Sequence, residues 1–357
     1  MAGVDFDHVT VRSGQITRLA DVTMAIGDGV VVGIVGGSGS GKTSLLRAVA
    51  GLDPIEHGSL RIGDRDVTRS APGERGVGMV FQSPALIGHL SVRRNVSFPL
   101  DVRRLAADEI RHRVDAEVRA LHIEELMDRE PSTLAMGEQQ MVQIARALVR
   151  VPTVLLLDEP FAALDDRLRR RMRAELALLQ SGYGVTTLIA TNDGADVEAL
   201  AGVVAVLEDG RLVQFGDVAV VRRFPANVMA AAATGPLSLI EMTVIAEQRG
   251  FWLQREDPAG GELVRLRSWA SGLAPHVGTK VLVGVRPEDV EISATGSIPG
   301  NVEPTSQFVA GGVSCTVAGV RIMVTAALGQ RPPSRSAVRL RLHHHVVFER
   351  VSGRTIG

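Results

Sequence analysis

Val30-Val31-Val32-Gly33-Ile34-Val35-Gly36-Gly37-Ser38-Gly39-Ser40-Gly41-Lys42-Thr43-Ser44 is the stretch that decides the fold of this chain. Residues 30–35 form a run of small apolar side chains, the pattern of a buried strand. Residues 44–52 then read as a helix. Between them Gly36, Gly37, Ser38, Gly39, Ser40, Gly41, Lys42 and Thr43 fit the phosphate-binding P-loop pattern. Glycine lets backbone amides turn toward phosphate oxygens without a Cβ clash. The helix N-terminus that follows adds a field favourable to anions. In this reading Lys42 reaches the β- and γ-phosphates of a nucleotide and the Thr43 hydroxyl binds magnesium, with Ser44 in the same nucleotide-binding set. Only two of the 39 basic residues are lysines, Lys42 and Lys280. One of them stands in this loop, where a planar arginine fork is a poor substitute for a compact ammonium on a flexible stem.

Working outward, Val154-Leu155-Leu156-Leu157 is a second short buried strand, and it ends in Asp158-Glu159-Pro160. A carboxylate at such a strand end can hold magnesium through water, which assigns Asp158 to the metal alongside Thr43. Glu159 is placed to orient or deprotonate the attacking water. Residues 186–190 and 203–207 read as further strands. Helices are expected from Asp108, with Ile110, Val114, Val118 and Leu121 on one face, from 137 to 150, and from 165 to 180. Residues 72–100 read as turn-rich and hold Phe81-Gln82. Alternating strands and helices give an α/β fold with a parallel sheet. A composition break falls at 230–236. Beyond it, short strands with turns at 257–261, 272–278, 296–300 and Gly311-Gly312 favour a small β-barrel or sandwich. The expected domains are 1–232, with a helical subdomain at about 85–150, and 233–357.

Composition narrows the function classes. Hydrophobic residues at 45% and charged residues at 22% suit a globular protein with a real core. A net charge of −1 leaves no electrostatic footprint for nucleic acid or anionic membrane. The single cysteine, Cys315, excludes an intramolecular disulfide and fits a reducing compartment. No basic segment followed by an apolar one marks a signal peptide. No uninterrupted apolar run reaches the roughly 18 residues that span a bilayer. Any membrane role is therefore expected to come through partner subunits.

These motifs and their order resemble the ATPases of ABC transporters over nearly the whole chain. Gln82 in Val80-Phe81-Gln82-Ser83 looks like the Q-loop glutamine, which the resemblance gives contacts to magnesium and water and a role in sensing the membrane partner. Ala163-Leu164-Asp165 looks like the D-loop, which puts Asp165 at the nucleotide interface. Residues 75–82, Ala145-Arg146-Ala147-Leu148 and Phe224-Pro225-Ala226-Asn227 are similar to the maltose and multi-sugar importer branch. So are Gly284-Val285-Arg286-Pro287-Glu288-Asp289 and Val347-Phe348-Glu349 with Gly353, which look like the OB-type regulatory (TOBE) domain of that branch. The resemblance implies an ABC-type P-loop ATPase domain with a helical subdomain, followed by a small all-β OB-like domain. It implies ATP and magnesium, and a head-to-tail homodimer or heterodimer of ATPase subunits. It also implies two transmembrane permease subunits, an external substrate-binding protein reached through them, and a place on the cytoplasmic face of the cell membrane. The OB-type domain is shared with importers of iron, polyamines, sulfate and molybdate, so it leaves the solute open. Sugar is favoured by resemblance alone.

Four sites depart from the family pattern. The signature LSGGQ aligns with Leu134-Ala135-Met136-Gly137-Glu138. Ala135 lacks the hydroxyl that donates to the γ-phosphate bound by the other subunit, and Glu138 brings a carboxylate near an anion. Gly137 and the helix N-terminus remain, which predicts residual phosphate affinity. The switch histidine aligns with Asn192, whose amide still donates but cannot become cationic. The aromatic that stacks on adenine aligns with Ser13, with Arg12 as a substitute stacking group, and the D-loop serine aligns with Ala162. Two readings follow. One is a transport ATPase that closes on ATP and reopens on hydrolysis. The other is a weakly hydrolysing nucleotide-binding subunit that regulates or supports another ATPase. A soluble ABC ATPase of DNA repair or translation is a third class, opposed by the near-neutral charge and the OB-type tail. His343-His344-His345 does not form a metal site in this reading, because successive strand side chains point to opposite faces. The arginine-rich run from Arg167 to Arg173 reads as a solvated helix face.

Overall fold

The computed structural model describes residues 2–247, 250–256, 263–293, 295–303, 312–325 and 336–356. The turns expected at 257–261 and at Gly311 lie outside the described residues. The chain divides into two compact units, Met1–Val221 and Arg222–Gly357. The second unit begins before the composition break, which falls on a short helix, Val228–Ala233.

The first unit holds two sheets. β1 (Val4–Ser13), β2 (Ile16–Ile26), β4 (Ile55–Ile62) and β5 (Arg65–Asp66) form an antiparallel sheet in the order β2-β1-β4-β5. β3 (Val31–Val35), β6 (Val77–Val80), β7 (Val154–Asp158), β8 (Thr186–Thr191), β9 (Val203–Glu208) and β10 (Arg211–Asp217) form the order β10-β9-β3-β8-β7-β6. All pairs in this second sheet are parallel except β9 with β10. A parallel sheet is covered on both faces, so its strands are apolar throughout. Successive residues of β7 accordingly enter different cores. Val154 and Leu156 join α1 (Lys42–Ala50) and the antiparallel sheet; Leu155 and Leu157 join the helical side of the unit. Leu155 and Leu156 are fully buried, and truncating either to Ala costs about 2–5 kcal/mol through the cavity left behind.

The C-terminus of α1 is closed by a side chain distant in sequence. Arg75 Nη1 donates to the carbonyls of Ala48 (2.7 Å) and Val49 (3.2 Å). Gly51, at φ 78°, makes room for it, since a Cβ there meets Arg75 Nε at 2.5 Å.

The helical side comprises α2 (Val92–Val102), α3 (Ala107–Ala120), α4 (Met136–Leu148), α5 (Asp166–Tyr183) and α6 (Gly194–Leu200). α3 to α5 lie where the periodicity predicts them. β6 and α2 do not: β6 and most of α2 fall inside 72–100, read as turn-rich. Pro99 interrupts the helical pattern of α2, yet Val92, Val96 and Leu100 recur every fourth residue and are fully buried, and Ser91 caps the first turn through Arg94 N–H. Asn95, also fully buried, pins the preceding loop by donating to Ile87 and Leu90 O, each at 3.0 Å.

Beyond the helix Val228–Ala233 the second unit is built of strands, as expected. β11 (Ser238–Glu247), β12 (Gly250–Arg255), β13 (Val264–Ser268), β14 (Lys280–Val285) and β20 (Val346–Glu349) form an antiparallel sheet ordered β13-β12-β11-β14-β20. β15 (Val290–Ile292), β16 (Ile298–Val302), β17 (Gly312–Val317), β18 (Val320–Thr325) and β19 (Ala337–Leu342) close into a barrel. Both share one core that runs from Val244 and Val283 to Val324 and Leu340.

Candidate nucleotide site

The P-loop joins β3 to α1. Gly36 has φ 157°, Gly39 80° and Gly41 105°, all disfavoured for residues with a Cβ. At Gly36 a Cβ falls 2.2 Å from Leu207 O, and at Gly41 it falls 2.8 Å from Arg18 O, so neither tolerates a side chain. Gly39 meets no such neighbour; only its backbone conformation calls for glycine. α1 carries no acidic residue in its first turn and no side-chain cap, so its N-terminal amides stay available to an anion. Ser38 and Ser44 lie on this loop and in this first turn. The Ser40 hydroxyl is buried with no hydrogen-bond partner among the described residues.

Lys42 is 5% exposed and folds back over the loop, with Nζ 3.0 Å from both Gly36 O and Gly37 O. Burial lowers its pKa, opposed by the charges of Glu159 and Asp158. Thr43 Oγ1 donates to Asp158 Oδ1 at 3.1 Å. Burial raises the Asp158 pKa against that hydrogen bond. A buried carboxylate bonded to a hydroxyl offers two hard oxygen donors, a set that suits magnesium.

Glu159 lies just past β7 with φ 45°, a left-handed conformation that costs energy for a residue with a Cβ. Its amide is tied to β8 through Ala190 O at 2.9 Å. Two loops converge on its carboxylate. Gln82 Nε2 donates to Oε2 at 3.1 Å, and Asn192 Nδ2 donates to Oε1 at 2.6 Å. The three residues expected to be catalytic thus meet in one cluster, although they lie 77 and 33 residues apart in sequence. Beside them a cavity of about 380 Å³ is lined by Glu159, Ala162, Arg169 and Asn192, among others.

The signature segment behaves differently from expectation. Ala135 caps α4, and Glu138 Oε2 reaches back to accept from Ala135 N–H at 2.8 Å. This is one half of a capping box, and alanine has no acceptor for the other half. Arg129 Nη1 stands 3.6 Å from the other oxygen of Glu138. The helix N-terminus expected to attract phosphate is therefore occupied by a carboxylate of its own helix. Gly137 is buried, and a Cβ on it falls 2.5 Å from Leu168 Cδ2, so here the missing side chain serves the packing of α4 on α5. Asp165 caps α5 by accepting from Arg167 and Leu168 N–H at 3.0 and 2.9 Å.

Sequence reasoning missed Arg169 and Arg173, which do not lie on a solvated face. Arg173 is 13% exposed at its side chain and pairs with Asp193 (2.7 Å) and Asp196 (2.5 Å), while Arg169 pairs with Asp193 at 3.2 Å. The i, i+4 spacing of these arginines, opposite two carboxylates just after Asn192, was the available signal. Arg12 donates to Glu56 at 3.2 Å, beside the exposed Ser13. In the second unit His343 stands 3.4 Å from Glu291, His344 3.8 Å from Asp289, and Trp269 is 74% exposed with Arg267 over its ring.

Residues 19–162 match the family model described as ABC transporter. The trehalose/maltose import ATP-binding protein MalK of Thermococcus litoralis is 36% identical over 81% of this chain and 79% of its own length. The maltose/maltodextrin import ATP-binding protein MalK of Escherichia coli K12 is 37% identical over 81% and 78%. The sn-glycerol-3-phosphate import ATP-binding protein UgpC of Salmonella typhi is 34% identical over 97% of this chain and 96% of its own. Among solved structures, a dimeric ATP-binding cassette in a post-hydrolysis state with ADP and phosphate is 28% identical, with a TM-score of 0.55 over 60% of this chain and 98% of that one. The cbiO1 protein of Clostridium perfringens, part of an ABC transporter complex, is 30% identical with a TM-score of 0.56 over 62% and 95%. With the P-loop and the Glu159 cluster on an α/β sheet, these likenesses identify the chain as a member of the ABC transporter family, among its import ATP-binding proteins.

Proposed function

We propose that this chain is the motor subunit of a carbohydrate importer, binding ATP with magnesium and hydrolysing it at Glu159. The observation that carries the reading is the Glu159 carboxylate, held by Gln82 and Asn192 next to the buried Asp158. A carboxylate fixed from both sides is oriented to take a proton from water. As that water attacks the γ-phosphorus, its oxygen–phosphorus bond forms and the bond to the ADP oxygen breaks. The proton passes to Glu159, and ADP and phosphate leave. Lys42 and the α1 N-terminus hold the negative phosphates. Thr43 and Asp158 would hold a magnesium ion, which would supply positive charge beside the phosphates.

The relatives named above supply the importer and the carbohydrate in this reading. Two permease subunits, reached through the helices around 85–130, and an external binding protein complete the assembly at the inner face of the membrane. Turnover is expected to be slow: Ala135 lacks a donor and Asn192 stands where the switch histidine aligns, and losing two contacts to a charged group slows hydrolysis by about 10²–10⁴. A regulatory subunit with little turnover is the less favoured reading, because the relatives are import ATP-binding proteins.

The test is reconstitution with the co-encoded permeases and external binding protein in vesicles, supplied with ATP and maltose, trehalose or glycerol 3-phosphate. ATP-dependent uptake abolished by Glu159→Gln is expected. Absence of uptake of any of them, with intact ATP binding, overturns the carbohydrate-importer reading.

A further inference from the structure

Asn192 is exposed at its side chain and sits in a two-residue loop between β8 and α6, so something else must fix where its amide points. Thr191 donates its hydroxyl to Asp196 and accepts from Asp193 N–H at 3.0 Å. Asp193 caps α6 through Ala195 N–H at 2.9 Å. Both carboxylates are then gripped from α5. Arg173 spans them, with Nη2 2.7 Å from Asp193 Oδ2 and Nε 2.5 Å from Asp196 Oδ1. Arg169 adds a second clamp. Its Nη1 donates to Asp193 Oδ2 at 3.2 Å and its Nη2 to Leu164 O at 3.2 Å, while its Nε is buried with no hydrogen-bond partner among the described residues.

Leu164 stands immediately before Asp165, the cap of α5, so one guanidinium joins the loop before α5 to the loop that carries Asn192. Arg169 also lines the cavity beside Glu159. Asp196 is 4% and Arg173 13% exposed at their side chains, so solvent does little to screen that pair, while Asp193, at 39%, is more open to water. The planar fork of arginine suits a two-carboxylate bridge that a lysine ammonium cannot copy.

We propose that Arg169 and Arg173 are positioning residues for hydrolysis, clamping the loop of Asn192 to α5 so that the Asn192 amide holds the Glu159 carboxylate. This inference rests on the role of Glu159 given above. The clamp also makes movement of the 164–165 segment reach Asn192 through Arg169.

The experiment is ATP hydrolysis by the full chain with its permeases, comparing Arg173→Lys, Arg173→Met, Arg169→Met, Asn192→Ala, Asn192→Ala with Arg173→Met, and Glu159→Gln. The expected result is a loss of kcat in Arg173→Met approaching, and not exceeding, the roughly tenfold loss of Asn192→Ala, with KM for ATP within about twofold of wild type. Arg173→Lys is expected to recover only part of the rate. If the arginines act through Asn192, the double variant is no slower than Asn192→Ala alone, which a general loss of stability does not mimic. Multiplicative losses in the double variant overturn the inference, as does unchanged kcat in folded Arg173→Met and Arg169→Met. Should Arg173→Met fail to fold, Arg169→Met and Arg173→Lys carry the same comparison. A wild type with no turnover sensitive to Glu159→Gln overturns the hydrolytic reading and this inference together; normal Glu159-dependent turnover in the arginine variants overturns this inference alone.

Discussion

Replacing Asn192 with alanine isolates the least familiar part of the site. The amide is the shorter of two hydrogen bonds to Glu159, at 2.6 Å against 3.1 Å from Gln82. A hydrogen bond to a charged group contributes about 1.5–3 kcal/mol. Asn192 is exposed and water replaces part of the lost bond, so the lower end applies, which is about a tenfold loss of kcat. The bond holds the base and does not hold the nucleotide, so KM for ATP stays within about twofold. Gln82→Ala behaves similarly. The double variant falls short of the product of the two, since the carboxylate is already loose after either loss. Because Asn192 is at the surface, the melting temperature is unchanged within the roughly ±0.5 kcal/mol usual for such sites. Steady-state phosphate release over a range of ATP concentrations, with a thermal melt of each variant, provides both readouts. An Asn192→Ala protein with wild-type kcat refutes the reasoning, and so does one whose rate loss follows its melting temperature.

Glu138→Gln removes the charge at the N-terminus of α4 while keeping an oxygen for Ala135 N–H. Two unit charges about 4 Å apart in water interact by about 1 kcal/mol, so apparent ATP affinity during turnover rises by about fivefold. Gly137→Ala drives a Cβ to 2.5 Å from Leu168 and destabilises the first unit by about 1–3 kcal/mol, visible as a lower melting temperature. The pKa of His345 is lowered to about 4, first by burial and then by His344. The native state therefore binds fewer protons than the unfolded state between pH 6.5 and about 4, and stability is lost as the pH falls through that window. His345→Asn flattens this slope in urea melts taken across the window.

The fold was legible where local pattern and tertiary environment agree. The apolar runs of β3 and β7 are buried on both faces, so their composition alone marks them as parallel-sheet strands, and the loops that end them carry the chemistry. α2 was illegible because Pro99 reads as a break, while the buried Val92, Val96 and Leu100 that sustain the helix gain their energy only from neighbours distant in sequence. In the site, residue types at Lys42, Thr43, Asp158 and Glu159 spoke for themselves. The convergence of Gln82 and Asn192 on one carboxylate required the sheet order β8-β7-β6, which places their loops side by side. Glu138 read as a hostile charge near phosphate; its role as a cap on Ala135 depends on a side-chain rotamer. Arg169 and Arg173 resembled their solvated neighbours in sequence, because a helix face is assigned to solvent or to a carboxylate only by what packs against it.

The most direct measurement is ATP hydrolysis and ATP binding by Glu159→Gln beside the wild type, in the presence of magnesium and the permease partners. Affinity within about twofold and a loss of hydrolysis of about 10²-fold or more are expected, since general-base catalysis contributes about 10²–10⁴. Wild-type hydrolysis in Glu159→Gln contradicts the role given to Glu159.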